Sequence, residues 1–215
     1  MQDSHGDYIV GITDLHTGTD GLVSLRGPER LCMDIFDNPR QVKKRINEIF
    51  KVYKTMYEKL DKIISLHQEG TSTWMGVWHP EKRWYPISSD FSCLICKDDF
   101  EEFVIPGIMD EIDYFDESIY HLDGPGALHH LDRILKIEKL SGVQWVYGEG
   151  QPTARYWIDV LKKIQDAGKL IQIHCVAGDI KPLCEALRPE GLNIVCYTGS
   201  KDEADAILRL AEIHG

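Results

Sequence analysis

The sequence predicts an α/β fold on a parallel sheet, of the (β/α)8 TIM-barrel type but incomplete, and three observations carry that prediction. Short apolar runs alternate with longer amphipathic ones, most regularly in the second half of the chain, as parallel strands with crossover helices require. The short runs are almost continuously apolar, as strands covered by helices are. Polar residues gather just after nearly every run: Asp14 and His16, His79, His121 and Asp123, Glu149, His174, then Tyr197 and Ser200. A ring of such groups at the C-terminal ends of many strands is the layout of a barrel's active face. An open doubly wound sheet would carry a G-x-G-x-x-G turn or a P-loop, and the glycines around Gly124 and Gly148 form neither.

The elements follow in order. Residues 8–13 read as a buried strand, and Asp14 to Gly21 as a polar, glycine-bearing loop. A long helix is predicted from Asn38-Pro39, where Asn suits the N-cap and Pro the first turn. Its stripe runs Val42, Ile46, Ile49, Tyr53, Met56, Leu60, Ile63, at spacings of three and four. Thr71 to Trp78 is strand-like, Trp84 to Ser92 an irregular connection, and Asp98 to Tyr114 helical with a kink or break at Pro106. Strands are then predicted at 118–122, 143–147, 170–175 and 192–197, with helices at 127–137, 152–167, 179–187 and 201–213 between and after them. That makes about six strands, whereas a closed barrel needs eight in roughly 250 residues. The expectation is one partial barrel domain over residues 1–215 that lacks its N-terminal strands.

Bulk properties narrow the function. A chain of 215 residues suits one well-buried domain. Its net charge of -11 and lack of a basic stripe argue against a nucleic-acid partner. No apolar run approaches the roughly 18 residues of a membrane span, and Met1 to Tyr8 shows no signal core. Six cysteines without an export signal point to a cytoplasmic protein with free or metal-bound thiols.

Several segments together resemble bacterial uroporphyrinogen decarboxylase-like proteins. They are Tyr120-His-Leu-Asp-Gly-Pro-Gly-Ala, Gln144-Trp-Val, Gly150-Gln-Pro, Gly70-Thr-Ser-Thr-Trp-Met, Trp78-His-Pro, Asp90-Phe-Ser and Phe100-Glu-Glu-Phe-Val-Ile-Pro. The resemblance spans nearly the whole chain and implies the (β/α)8 fold of the uroporphyrinogen decarboxylase superfamily, with Met1 a truncated or alternative start. It also implies one of two chemistries. One branch of porphyrin metabolism decarboxylates a tetrapyrrole without a cofactor. The other is a methyltransferase branch, moving a methyl group from a corrinoid protein to a thiol held on zinc. In that branch a strand ends in His-x-Cys-Gly and a distant Cys completes the ligands. Here His121-Leu122-Asp123-Gly124 stands at the matching strand end, with Asp123 in place of Cys.

The methyl-transfer resemblance therefore points to His121, Asp123 and Cys196 as metal ligands, and the catalytic candidates are His121, Asp123, Asp90 and Glu149. His79, Trp78, Tyr120, Trp145 and His174 are the candidate substrate contacts. From the residues alone, His121 and Asp123 flank one residue of an extended segment and point the same way. A packed His121 and a turn-capping Asp123 are the alternative. His174 and Cys175 are adjacent on a strand, so one of them faces inward. Asp90 serves equally as a pocket acid or a helix cap, and Glu149 as a ligand group or a solvated loop carboxylate. Trp74, Trp78, Trp84 and Trp145 would suit a flat tetrapyrrole or corrin, with core packing as the alternative. Cys93 and Cys96 have metal or redox spacing without a second pair. A decarboxylase would bring an arginine-rich N-terminal segment, which is not in this sequence, and a late Gly-His-Gly, of which Ile213-His214-Gly215 is the nearest trace. A third reading is a non-catalytic piece that binds a corrinoid protein or a complementing chain. Missing strands leave open edges, so a homo-oligomer or a partner filling the gap is expected.

Overall fold

The computed structural model describes residues 8–214; the start at Met1 and the closing Gly215, both singled out in the sequence, lie outside them. The described residues gather into two compact units, divided between Ser118 and Ile119.

The first unit opens on a segment that is less of a strand than its apolar run suggests. Residues 8–13 make one parallel bridge, Ile12 to Thr73, with the Ile12 amide donating to the Ser72 carbonyl at 2.9 Å. Two helices follow where none was predicted, α1 (Gly18–Arg26) and α2 (Pro28–Asp37). The glycines at 18 and 21 hid the first, since Gly is a poor helix former. The long α3 (Pro39–Ile64) begins at Asn38-Pro39 as predicted, but the Asn38 amide donates to Asp34 instead of capping the helix. Its buried stripe is Val42, Ile46, Tyr53, Tyr57 and Ile64, while Met56 and Ile63 are exposed. A seven-residue step from Ile49 explains the miss, because a straight helix drifts about 20° per heptad away from that repeat.

The single strand expected over residues 71–78 is an antiparallel pair, β1 (Thr71–Ser72) and β2 (Trp78–His79). The segment expected to be irregular contains a buried strand, β3 (Trp84–Ser88). Pro86 argued against a strand there, since it cannot donate to a ladder. A 3-10 turn, Asp90–Leu94, leads to α4 (Lys97–Asp99), a π-helical stretch Phe100–Val104 and α5 (Ile105–Tyr114). The break predicted for Pro106 takes the form of that π stretch, which relieves the clash of the proline ring with the preceding turn.

This unit is held by an aromatic cluster. Tyr53 and Tyr57 of α3 meet Tyr85 of β3 and Phe115, with Tyr57 and Phe115 edge to face at 4.8 Å. The Tyr85 hydroxyl donates to the Thr13 carbonyl and accepts from the Leu15 amide, both at 2.7 Å, fixing the entering chain. Buried Asp20 of α1 accepts from the amides of Asp90 and Phe91 at 2.9 and 3.0 Å and so caps the 3-10 turn.

The second unit runs close to prediction. It comprises β4 (Glu117–Asp123), α6 (Leu131–Leu135) after a 3-10 turn, β5 (Gly142–Val146), α7 (Ile158–Asp166), β6 (Leu170–Cys175), α8 (Ile180–Ala186), β7 (Leu192–Cys196) and α9 (Lys201–His214). Strands β4, β5, β6 and β7 lie side by side in sequence order, all parallel. Helix α7 packs on β5 and β6 and buries Leu161 and Ile164. The facing layer is Tyr120, Leu122, Val143, Trp145, Ile171 and Ile173, all essentially solvent-free. Gly142 is required by close approach, since a Cβ there would sit 2.8 Å from the Leu170 carbonyl oxygen. Among the described residues no helix is long and apolar enough to cross a membrane.

Ile173 is fully buried in the middle of this layer. Ile173→Ala should cost about 2–5 kcal/mol by lost burial and a residual cavity, read from urea unfolding. A loss below about 1 kcal/mol would mean that the layer is not packed as described.

Candidate functional site

Parallel register decides which residues of the second unit share a face. His121 of β4 lies opposite Gln144 of β5, Gln144 opposite Gln172 of β6, and Gln172 opposite Asn193 of β7. Successive strand residues alternate sides, so this row faces away from Trp145 and Ile173 and hence away from α7. The next row brings Asp123 opposite Val146 and His174 opposite Val195. One face of the sheet is therefore apolar and covered by helices, and the other carries two histidines, two glutamines, an asparagine and an aspartate.

The first row is hydrogen-bonded from strand to strand. His121 Nδ1 is bonded to Gln144 Oε1, and Gln144 Nε2 donates to Gln172 Oε1. Both glutamines are buried, at 3% and 1% exposure. A buried amide needs a partner for its oxygen and its nitrogen, and this row supplies one for each of Gln144's two ends. A carbonyl oxygen only accepts, so His121 Nδ1 carries the hydrogen, and in the neutral ring Nε2 is left with its lone pair. Asp123 lies two residues on, at the C-terminal end of β4, and its carboxylate is within 4.8 Å of a His121 ring nitrogen.

His174 shares this face. Burial, and secondarily the charge of His121, push its pKa below the ordinary histidine value. Its ring lies 5.7 Å from that of Tyr197, just beyond the end of β7. Behind the strand ends, fully buried Asp179 accepts from Thr153 Oγ1 at 2.8 Å and pairs with Arg155 Nε at 3.2 Å. This ties the loop after β5 to the turn after β6.

Other sequence candidates of the second unit do not share this face. Cys196 lies opposite Cys175, an odd number of residues from Asn193, and so faces the helix side. Its expected place beside His121 and Asp123 as a metal ligand is corrected by that register. Tyr120 and Trp145, expected to contact substrate, also belong to the helix-side layer, where Trp145 meets Trp157 edge to face at 5.2 Å. Glu149 is exposed between Gly148 and Gly150, which both take positive φ.

In the first unit, the His79 Nδ1 accepts from the amides of Glu81 and Lys82 at 3.2 and 3.0 Å, which makes it a turn-forming residue. Trp78 donates its indole N–H to the Glu69 carbonyl. Asp90 is exposed at the start of the 3-10 turn that Asp20 caps. Gln144 and Gln172 were not singled out from the sequence, although each is a polar residue inside an otherwise apolar strand run.

The depressed His174 pKa has a sign that can be checked. In the unfolded chain the ring takes up a proton near the ordinary value of about 6.5. The folded ring does so only at lower pH. Stability present above the unfolded value is therefore lost as pH falls from it towards the folded value. His174→Gln should flatten this part of the stability profile, measured as denaturation midpoints between about pH 7.5 and 5. An unchanged slope would mean that His174 is not shielded as described.

No family model, no curated protein and no solved structure matches this chain.

Proposed function

We propose that the chain is a uroporphyrinogen decarboxylase-superfamily protein, part of a (β/α)8 barrel, that moves a methyl group between a corrinoid-bearing partner protein and a thiol. The observation that supports it best is the pairing of His121 and Asp123 on one face at a strand's C-terminal end, with His121 Nδ1 already committed to Gln144. Imidazole nitrogen and carboxylate oxygen are both zinc donors, so this pair fits two positions of a zinc site. Held there, zinc would keep the acceptor thiol deprotonated at neutral pH.

The chain's own residues divide the remaining work. Gln144 and Gln172 fix the His121 ring so that Nε2 is presented to the ligand, the usual arrangement for a metal-binding histidine. Asp123 brings negative charge to the same point. His174 faces the same space, and its depressed pKa keeps it neutral near pH 7. In this reading it accepts the proton that the thiol gives up.

One observation favours a second reading. Cys196 faces the helix side, so this face presents no thiolate of its own. A face of imidazole, amide and carboxylate groups also suits metal-free decarboxylation of a tetrapyrrole, where hydrogen bonds hold the substrate's carboxylates.

Metal analysis separates the two. The methyl-transfer reading predicts close to one zinc per purified chain, lost in His121→Ala because the remaining donors cannot complete a tetrahedron. Gln144→Leu should weaken zinc binding about 10–100-fold by releasing the ring. Asp123→Cys should tighten it, thiolate being the softer ligand. A chain without zinc, indifferent to all three changes, would rule out the zinc-thiolate chemistry and favour the decarboxylase reading.

A further inference from the structure

The helix side of the same sheet carries a feature that the proposed chemistry does not use. Cys175 and Cys196 are the last residues of β6 and β7 and lie directly opposite each other in parallel register. Adjacent strands run about 4.8 Å apart, and disulfide-bonded cysteines have Cα atoms about 4.4–6.8 Å apart. The two Cβ atoms leave the sheet on the same side, so the backbone directs both thiols into one space. Cys196 is close enough to act on Cys175 through both charge and a hydrogen bond. The small approach needed to form a bond falls where it is least resisted, at two strand ends, one of them on β7, the last strand in the sheet order. Cys175 and Cys196 are both free thiols in this structure.

We propose that Cys175 and Cys196 are an oxidisable pair that closes into a reversible intramolecular disulfide. The order of events follows from exposure. Cys175 is buried and Cys196 is partly open to solvent. Burial and the neighbouring sulfur push the Cys175 thiol up to about 12, so it stays protonated and is not the first to react. With hydrogen peroxide as oxidant, the Cys196 thiolate attacks one peroxide oxygen and the O–O bond breaks, giving a sulfenic acid and hydroxide. The Cys175 sulfur then attacks the Cys196 sulfur. The S–O bond breaks, and the Cys175 proton leaves with the departing oxygen as water. The two thiols give up two electrons in all, and the peroxide is reduced to water. The bond would draw together the ends of β6 and β7, next to His174 and Tyr197, whose rings meet on the opposite face. It does not depend on the methyl-transfer reading.

The test uses the full chain with hydrogen peroxide, followed by alkylation and mass mapping. Lys181 and Arg188 both precede proline, so trypsin leaves Cys175, Cys184 and Cys196 in one peptide. Cleavage after Glu185 and Glu190 and before Asp179 separates all three. The expected product is a 175–196 cross-link within a single chain, two hydrogens lighter than the reduced chain, retained in Cys184→Ser and removed by a thiol reductant. Mapping the wild type carries the result even if Cys175→Ser folds poorly. Cross-linking of Cys196 to Cys184 or between chains, or oxidation of Cys196 without a cross-link, would overturn the proposal.

Discussion

A glutamine side chain in the middle of a parallel sheet is costly unless both ends of its amide are satisfied, and the polar face of the second unit is organised by that requirement. Gln144 sits between His121 and Gln172 and meets it by accepting on one side and donating on the other. Leaving a buried donor or acceptor unpaired costs about 1–3 kcal/mol, so the three side chains hold one another in place. The histidine gains most in chemical terms. Its tautomer and orientation are set by a neighbour that does not titrate, so the lone pair of the neutral ring falls on Nε2.

The sheet's two faces then divide the work. The helix side is sealed by Trp145, Val143, Ile171 and Ile173 against α7, which gives the strands a rigid floor. Rigid strands fix the register, and register determines that His121, Gln144 and Gln172 meet. The thiols of Cys175 and Cys196 lie on the helix side, back to back with His174 and Tyr197.

The second unit was legible in the sequence because its strands are compact apolar runs with turns between them, so β4 to β7 fell within a residue or two of their predicted places. The first unit was harder to read. Glycines disguised α1, Pro86 disguised β3, and a seven-residue step misplaced the lower stripe of α3. At the site, the two-residue spacing of His121 and Asp123 was enough to place them together. The same alternation rule, applied to Tyr120, would have put it on the other side from His121. Trp145 and Cys196 could not be placed that way, because their face depends on register between strands, which no single run encodes. Gln144 and Gln172 were overlooked for the same reason: a polar residue in a strand signals a partner only once its neighbour across the ladder is known.

The tautomer of His121 can be observed directly with nitrogen-15 labelled histidine and long-range proton–nitrogen correlation at a pH where the ring is neutral. The hydrogen-bonded row predicts a protonated Nδ1 and a bare Nε2 for His121, reverting towards the mixture of a free imidazole in Gln144→Leu. An Nε2-protonated ring in the native chain, unchanged by Gln144→Leu, would contradict the account, because His121 would then offer no fixed lone pair to a ligand.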